Sequence, residues 1–309
     1  MKNRFLPAIL AVLTFASCSP RYETIEGFAQ GGLYRIQYNS AGTHASRTEV
    51  KIGVEAILEA VDTTLSGYNR KSLLSRRNAG EAVELNDMFR EMEALAEHYR
   101  ELSGGAFDVA AGPLFDVWGF GFTADSLPSP EAISRAMERS RRREVLNFNA
   151  IAQGYTCDLV AEYLHSLGIK DMLVDIGEIY CDGLNSKGMG WTLGIDTPDD
   201  GNDTPGSKIS GIWRSDGGAH GVVTSGNYRK YYYSDGKKYS HTIDPRTGRP
   251  VEHNLLSATV IAPTAAEADA LATYFMVAGP EQARAFVESH PTVEACLISA
   301  DGIWYSEGF

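Results

Sequence analysis

Residues 32–38 read Gly-Leu-Tyr-Arg-Ile-Gln-Tyr, an alternation of apolar and polar positions that predicts a strand. Val54, Ile57, Leu58, Val61 and Leu65 then recur at helical spacing, with Glu and Lys on the opposite face, so a helix over about 48–65 is expected to pack on a sheet. Asn86-Asp87 precede a second amphipathic run (Met88, Met92, Leu95, Tyr99, Leu102) that stops at Ser103-Gly104-Gly105. Residues 119–130 are marked by glycine and proline as a loop and a mobile insertion, after which Pro128-Ser129-Pro130 opens a helix through about Glu138. Cys157, Val160, Ala161, Leu164 and Leu167 predict a helix over 154–167 closed by Gly168, and 172–177 reads as a short buried strand. Strand-like segments at 191–195, 221–224, 256–261, 295–298 and 303–305 and helices at 266–277 and 280–288 complete the pattern. The mixture predicts an α+β fold: a single large domain with a mixed, largely antiparallel sheet and flanking helices.

The first twenty residues follow a different logic. Lys2 and Arg4 precede an apolar run over 5–16 and the small residues Ala16 and Ser17, then Cys18. This is the pattern of a signal peptide over 1–17 ending in a lipobox, with Phe15 where Leu is usual. About a dozen apolar residues are too few for a bilayer, which needs roughly 20. Cys18 is therefore the expected lipidation site, residues 18–30 the expected tether, and 31–309 the expected catalytic domain.

Composition adds little to the fold but narrows the partners. Hydrophobic residues make up 43% and charged residues 22%, enough apolar material for an ordinary core, while the net charge of -12 repels a phosphate backbone and argues against nucleic acid. Arg139 and Arg141 to Arg143 form the one basic cluster, read as a solvated helix face. An anionic phosphate ligand would need a local device, such as a metal or a helix N-terminus. Cys157, Cys181 and Cys296 match no zinc spacing; one disulfide is possible by count, but their apolar neighbours favour buried thiols.

Candidate chemistry concentrates in four places. Asp269 and Thr273 lie one helical turn apart and share a face, offering hard oxygen ligands suited to Mg²⁺. Spacing alone favours a solvated polar pair; Ala268, Ala270, Leu271, Ala272, Phe275, Met276 and Val277 around it suggest instead a carboxylate in need of a cation or a donor. The glycine-rich segment from Ser103 surrounds Phe107, Asp108 and Trp118, and serves either as a tight loop with aromatic core residues or as a surface for a flat ligand. Residues 147–158 enter a helix near Gly154, which is either a plain junction or an anion site. The stretch 220–250 crowds Thr224, Ser225, Gly226, Tyr228, Arg229, Lys230, His241 and Asp244-Pro245-Arg246-Thr247-Gly248, with His241 open to a structural or an acid–base role. No Walker loop or Rossmann fingerprint occurs.

Taken in order, these segments resemble a known family, the ApbE-like flavin transferases. The resemblance rests on Ser66-Gly67-Tyr68-Asn69 with Ser72 and Asn78, on Gly105-Ala106-Phe107-Asp108 with Gly112-Pro113-Leu114 and Trp118-Gly119-Phe120-Gly121, and on Ala150-Ile151-Ala152-Gln153-Gly154-Tyr155 with Asp158. It continues through Thr224-Ser225-Gly226-Asn227-Tyr228, residues 241–248, and Asp269-Ala270-Leu271-Ala272-Thr273. What the resemblance implies is Mg²⁺-dependent transfer of FMN from FAD to a threonine hydroxyl of an exported acceptor protein of an electron-transfer system, with release of AMP. It further implies that Asp269, Thr273 and the carbonyl of Ala150 hold the metal, and that Tyr68, Ala106, Phe107, Asp108, Asn147, Gln153 and Ile243 contact FAD. His241 and Asp244 are the candidate bases, because a metal-bound Asp269 is a poor one. With the lipobox, the expected location is a bacterial membrane, anchored by lipid and facing the periplasm. Gln153 stands where the family usually has Lys, and Gly177-Glu178 where it often has Gly-Gly. A Mg²⁺-dependent FAD pyrophosphatase giving FMN and AMP, and a non-catalytic periplasmic FAD-binding lipoprotein, are the alternatives.

Overall fold

The computed structural model describes residues 21–120, 127–199, 202, 204, 206–228, 231–234 and 236–309. The signal peptide, Cys18, residues 121–126 of the loop at 119–130, and Arg229-Lys230 lie outside the described residues. The chain enters on β1 (Tyr22–Ala29), which turns at Gln30-Gly31 into β2 (Gly32–Asn39) and pairs with it along its whole length, from Tyr22 opposite Asn39 to Ala29 opposite Gly32. Residues 22–29 are therefore part of the folded sheet, which corrects the expected tether over 18–30. Their signal was missed because Tyr-Glu-Thr-Ile-Glu-Gly-Phe-Ala buries only Ile25 fully.

Helices α1 (Arg47–Leu65), α2 (Leu73–Asn78), α3 (Asp87–Leu102), α4 (Gly112–Val117), α5 (Pro130–Arg141) and α6 (Ala152–Ser166) follow. The caps explain several starts. Ser46 and Glu49 form a reciprocal capping box on α1, and Asn86 accepts the Phe89 N–H at the head of α3 (2.9 Å). The short strands β3 (Met172–Asp175) and β4 (Ile179–Asp182) precede the ribbon β5 (Thr192–Asp196) and β6 (Ile209–Arg214). Next come β7 (His220–Gly226), a ribbon of β8 (Tyr231–Ser234) and β9 (Lys237–Ser240), and a two-residue pair, β10 (Ile243–Asp244) and β11 (Arg249–Pro250). The chain closes with β12 (Leu255–Ala262), α7 (Ala265–Ala278), α8 (Pro280–Ser289), β13 (Glu294–Ser299) and β14 (Gly302–Tyr305).

Eight strands form one sheet in the order β1-β2-β3-β4-β7-β12-β13-β14, and every neighbouring pair is antiparallel. This is the α+β architecture that the pattern predicts, with a sheet antiparallel throughout where a mixed, largely antiparallel one was expected. Tyr34, Ile36, Tyr38, Met172 and Val174 pack one face of the sheet against α1 and α6, while Val223, Ala258, Val260, Ala295 and Leu297 pack against α7 and α8. Ile195, Trp191 and Trp213, on or beside the β5–β6 ribbon, meet residues of the other face: Cys181, Val222, Ile261, Cys296 and Ile298. Period-two alternation along each strand supplies both faces.

Cys157, Cys181 and Cys296 are free and buried, as their apolar surroundings predict, and burial pushes the Cys181 and Cys296 thiols up to about 12. Arg139 pairs with Glu144, Arg142 with Glu138, and Arg143 with Asp108, so these members of the basic cluster are engaged by carboxylates. Among the described residues, no helix is long and apolar enough to cross a membrane.

Candidate active site

Helix α7 is apolar on almost every side, as suits a helix enclosed by other elements. It lies on β7 and β12 and crosses α6. Asp269 sits in this helix at 4% exposure, and burial, with a further push from the nearby Asp158 charge, raises its carboxyl to about 7. Its protein donor is the Gly154 N–H, which reaches Oδ2 at 3.1 Å. Gly154 is the third residue of α6, so the expected donor at that helix entry exists but is directed at a side chain of the chain itself. Thr273 follows one turn along α7.

Both residues line a cavity of about 610 Å³. Tyr68, Ala106, Phe107, Asp108, Asn147, Ala150, His241 and Ile243 line it as well, so ten of the sequence-predicted residues, from Tyr68 to Thr273, converge on it. Thr224, Ser225, Gly226 and Tyr228 from the end of β7 and the residues after it complete one wall. The cavity volume falls within the usual range for small-molecule sites, about 300–1,000 Å³.

Local structure explains the placement of the walls. Asp108 caps a 3₁₀ turn at Val109–Ala111 through the Ala110 N–H (2.9 Å) and pairs with Arg143 (3.3 Å), which fixes the glycine-rich segment. Asn78 braces the irregular segment before Asn147 with two hydrogen bonds, donating to the Leu146 carbonyl (2.8 Å) and accepting its N–H (3.0 Å). Tyr68 remains 70% exposed at the mouth, where its hydroxyl accepts from Asn149 Nδ2 (3.1 Å). Trp118 donates to the Gly248 carbonyl (2.8 Å) and stacks on Tyr239, which stacks on Tyr232. Phe120 reaches both Tyr232 and His241. The glycine-rich segment thus serves in both of its expected senses: Phe107 and Trp118 are core residues, while Ala106, Phe107, Asp108 and Phe120 face the cavity.

Two predicted residues are not brought to the cavity. Asp244 Oδ1 accepts from the Arg246 backbone N–H (2.8 Å) and Nε (2.9 Å), and Oδ2 accepts from Arg246 Nη2 (2.9 Å), closing a turn in which both oxygens are occupied. Of the two candidate bases, His241 alone lines the cavity. Gln153 donates to the Ile176 carbonyl (3.3 Å) and covers Gly177, where a Cβ would lie 2.8 Å from its Nε2, so it supports the β3–β4 turn rather than the cavity wall. Conversely, Phe115, Asp116 and Asn149 line the cavity without having been singled out in the sequence, and Glu178, noted there only as a departure from the family's Gly-Gly, lines it too. Phe115 and Asp116 lie inside the glycine-rich segment and Asn149 just before α6, so membership of those two segments was the available signal. For Glu178 the signal was that departure from Gly-Gly.

The donor set fits a hard cation. Among the described residues no group of three or more His, Cys, Asp or Glu converges, so a cation here would rest on one carboxylate, a hydroxyl and backbone oxygen, with water or phosphate completing its shell. Mg²⁺ accepts that arrangement, since it is commonly held by one or two carboxylates together with substrate phosphates. A buried carboxyl held near neutrality also gains from a neighbouring cation.

Comparison with known proteins places the chain. The ApbE family profile matches residues 31–297, and the chain belongs to the ApbE family. It is 32% identical to a protein of Escherichia coli (strain K12) named FAD:protein FMN transferase, over 90% of this chain and 88% of that one. The Vibrio cholerae protein of the same name is 31% identical, with 97% and 95% covered. Among solved structures, the flavin transferase ApbE from Vibrio cholerae superposes with a TM-score of 0.81 at 30% identity, covering 94% of this chain and 98% of that chain. The apo form of the Pseudomonas stutzeri flavinyl transferase ApbE gives 0.80 at 34% identity, covering 93% and 94%.

Proposed function

We propose that this chain is an FAD:protein FMN transferase that modifies a threonine hydroxyl of an exported acceptor serving electron transfer, with Mg²⁺ at Asp269, Thr273 and the Ala150 carbonyl. The observation that carries this reading is the buried Asp269, raised to about 7 and one turn from Thr273, in a cavity with an aromatic mouth. Relatives at about this level of identity over most of their length bear that enzyme name, which supports the reaction.

In this reading Tyr68, exposed at the mouth, would offer a stacking face to the planar part of FAD, Ala106 and the buried Phe107 would back the wall, and Asp108 and Asn147 would meet its polar edges. Mg²⁺ would neutralise the pyrophosphate and the charge that develops on departing AMP. The acceptor oxygen attacks the phosphorus on the FMN side, its new P–O bond replaces the bond to AMP, and the hydroxyl proton passes to His241. The N-terminal pattern supports export and a lipid on Cys18 that holds the enzyme at a membrane, facing the periplasm.

The test is mass spectrometry of a threonine-bearing acceptor domain after incubation with this protein, FAD and Mg²⁺, with Asp269→Ala alongside. A gain of one FMN that requires Mg²⁺ and disappears in the variant is expected. Free FMN and AMP with an unlabelled acceptor would replace the transferase with the pyrophosphatase.

A further inference from the structure

Beneath the cavity, α6 and α7 each carry a carboxylate that caps the other. Asp158, in the second turn of α6, accepts from the N–H groups of Ala265 and Ala266, the first two residues of α7, at 2.8 Å each and through different oxygens. Asp269, in the second turn of α7, accepts from Gly154 at the head of α6. The opening N–H groups of a helix have no partner within it and carry the positive end of its dipole, so the exchange satisfies both helices at once.

The backbones are close enough for this because two glycines remove the obstacle. A Cβ at Gly154 would lie 2.2 Å from the Ala265 carbonyl oxygen, and one at Gly221 in β7 would lie 2.3 Å from the Ala265 Cα and from the Thr264 carbonyl oxygen. The first turn of α7 is clamped between α6 and β7. It does not need Asp158 merely to begin, since Thr264 is its own N-cap and accepts the Glu267 N–H at 3.2 Å. What Asp158 adds is the position of α7 relative to α6.

We propose that Asp158 is a positioning residue for the cation site: it locks the first turn of α7 against α6, so that Asp269 keeps Oδ2 on Gly154 and presents Oδ1 to the cavity. The inference rests on the reading that Asp269 holds the cation. A one-turn rigid arm separates the contacts at Ala265 and Ala266 from Asp269, so loosening the former swings the latter. Partners that orient a metal ligand commonly contribute a factor of about 10–100 to metal affinity.

The experiment titrates Mg²⁺ into wild type, Asp158→Asn, Asp158→Ser and Thr264→Ala by calorimetry, with and without FAD, and records thermal unfolding of each. Asp158→Asn halves the acceptor pair on α7, Asp158→Ser keeps a shorter single acceptor should the Asn variant not fold, and Thr264→Ala weakens the same helix end without touching Asp158. The expected result is Mg²⁺ affinity about 10- to 100-fold weaker in the folded Asp158 variants, and a lower Tm with unchanged affinity in Thr264→Ala. Folded Asp158 variants that bind Mg²⁺ like wild type would overturn the inference, as would an equal loss in Thr264→Ala, which would reduce the effect to helix stability. Wild-type protein that binds no Mg²⁺ would overturn the cation reading itself.

Discussion

Replacing Asp269 by Asn should make the metal-free protein more stable at alkaline pH, although it removes a proposed ligand. The folded carboxyl is raised to about 7, mainly by burial. An unfolded Asp titrates near 4, so the folded state binds this proton more tightly and stability falls as pH climbs from about 4 to about 7, then levels off. Three pKa units at about 1.4 kcal/mol each give a penalty on the order of 4 kcal/mol above pH 7. Asn removes that penalty and keeps a neutral acceptor for Gly154, as the protonated carboxyl does near pH 4; the pull of Gly154 on the charged form already lies within the value of about 7. The net expectation is a gain of about 4 kcal/mol at pH 8 and little change near pH 4. Asp158, raised to about 6 chiefly by burial, leaves the variant a shallower slope of the same sign. Urea unfolding at pH 4.5, 6 and 8 measures this directly, and added Mg²⁺ should stabilise wild type but not the variant. An Asp269→Asn protein less stable than wild type at pH 8 without Mg²⁺ would refute the argument that burial makes this charge costly.

Other outcomes separate the roles of the remaining residues. His241→Ala should cut FMN transfer by about 10²–10⁴ in single-turnover assays at saturating FAD. Asp244→Asn should instead lower stability by about 1 kcal/mol through its pair with Arg246 and leave the transfer step near wild type; the reverse ranking would return the base to Asp244. Tyr68→Ala, at an exposed position, should shift stability by less than about 0.5 kcal/mol while weakening FAD binding roughly 3- to 10-fold in a fluorescence titration.

Much of the fold was legible because the long elements carry clean periods and recognisable ends. The run Val54 to Leu65, the Asn86 cap and the glycine stop after Leu102 each signal locally what the packing later uses. β1 was not legible: a strand on the sheet edge, buried fully only at Ile25, lacks a continuous apolar face. The short pieces α2, α4 and β8 to β11 depend on contacts across the chain, such as Trp118 with Gly248, which no local pattern announces. At the site, Asp269 stood out as a carboxylate in apolar company. The engagement of Asp244 by Arg246 and of Gln153 by the β3–β4 turn did not, because sequence proximity cannot tell which way a side chain is drawn.

The three described thiols bear on where such a protein can fold. Thiol–disulfide exchange needs an accessible thiolate, and Cys157, Cys181 and Cys296 offer neither exposure nor ionisation, all three being pushed well above an ordinary cysteine by burial. The folded domain is therefore indifferent to redox poise: it requires no oxidant or disulfide isomerase to mature, and moving it between a reducing and an oxidising compartment leaves its covalent structure unchanged.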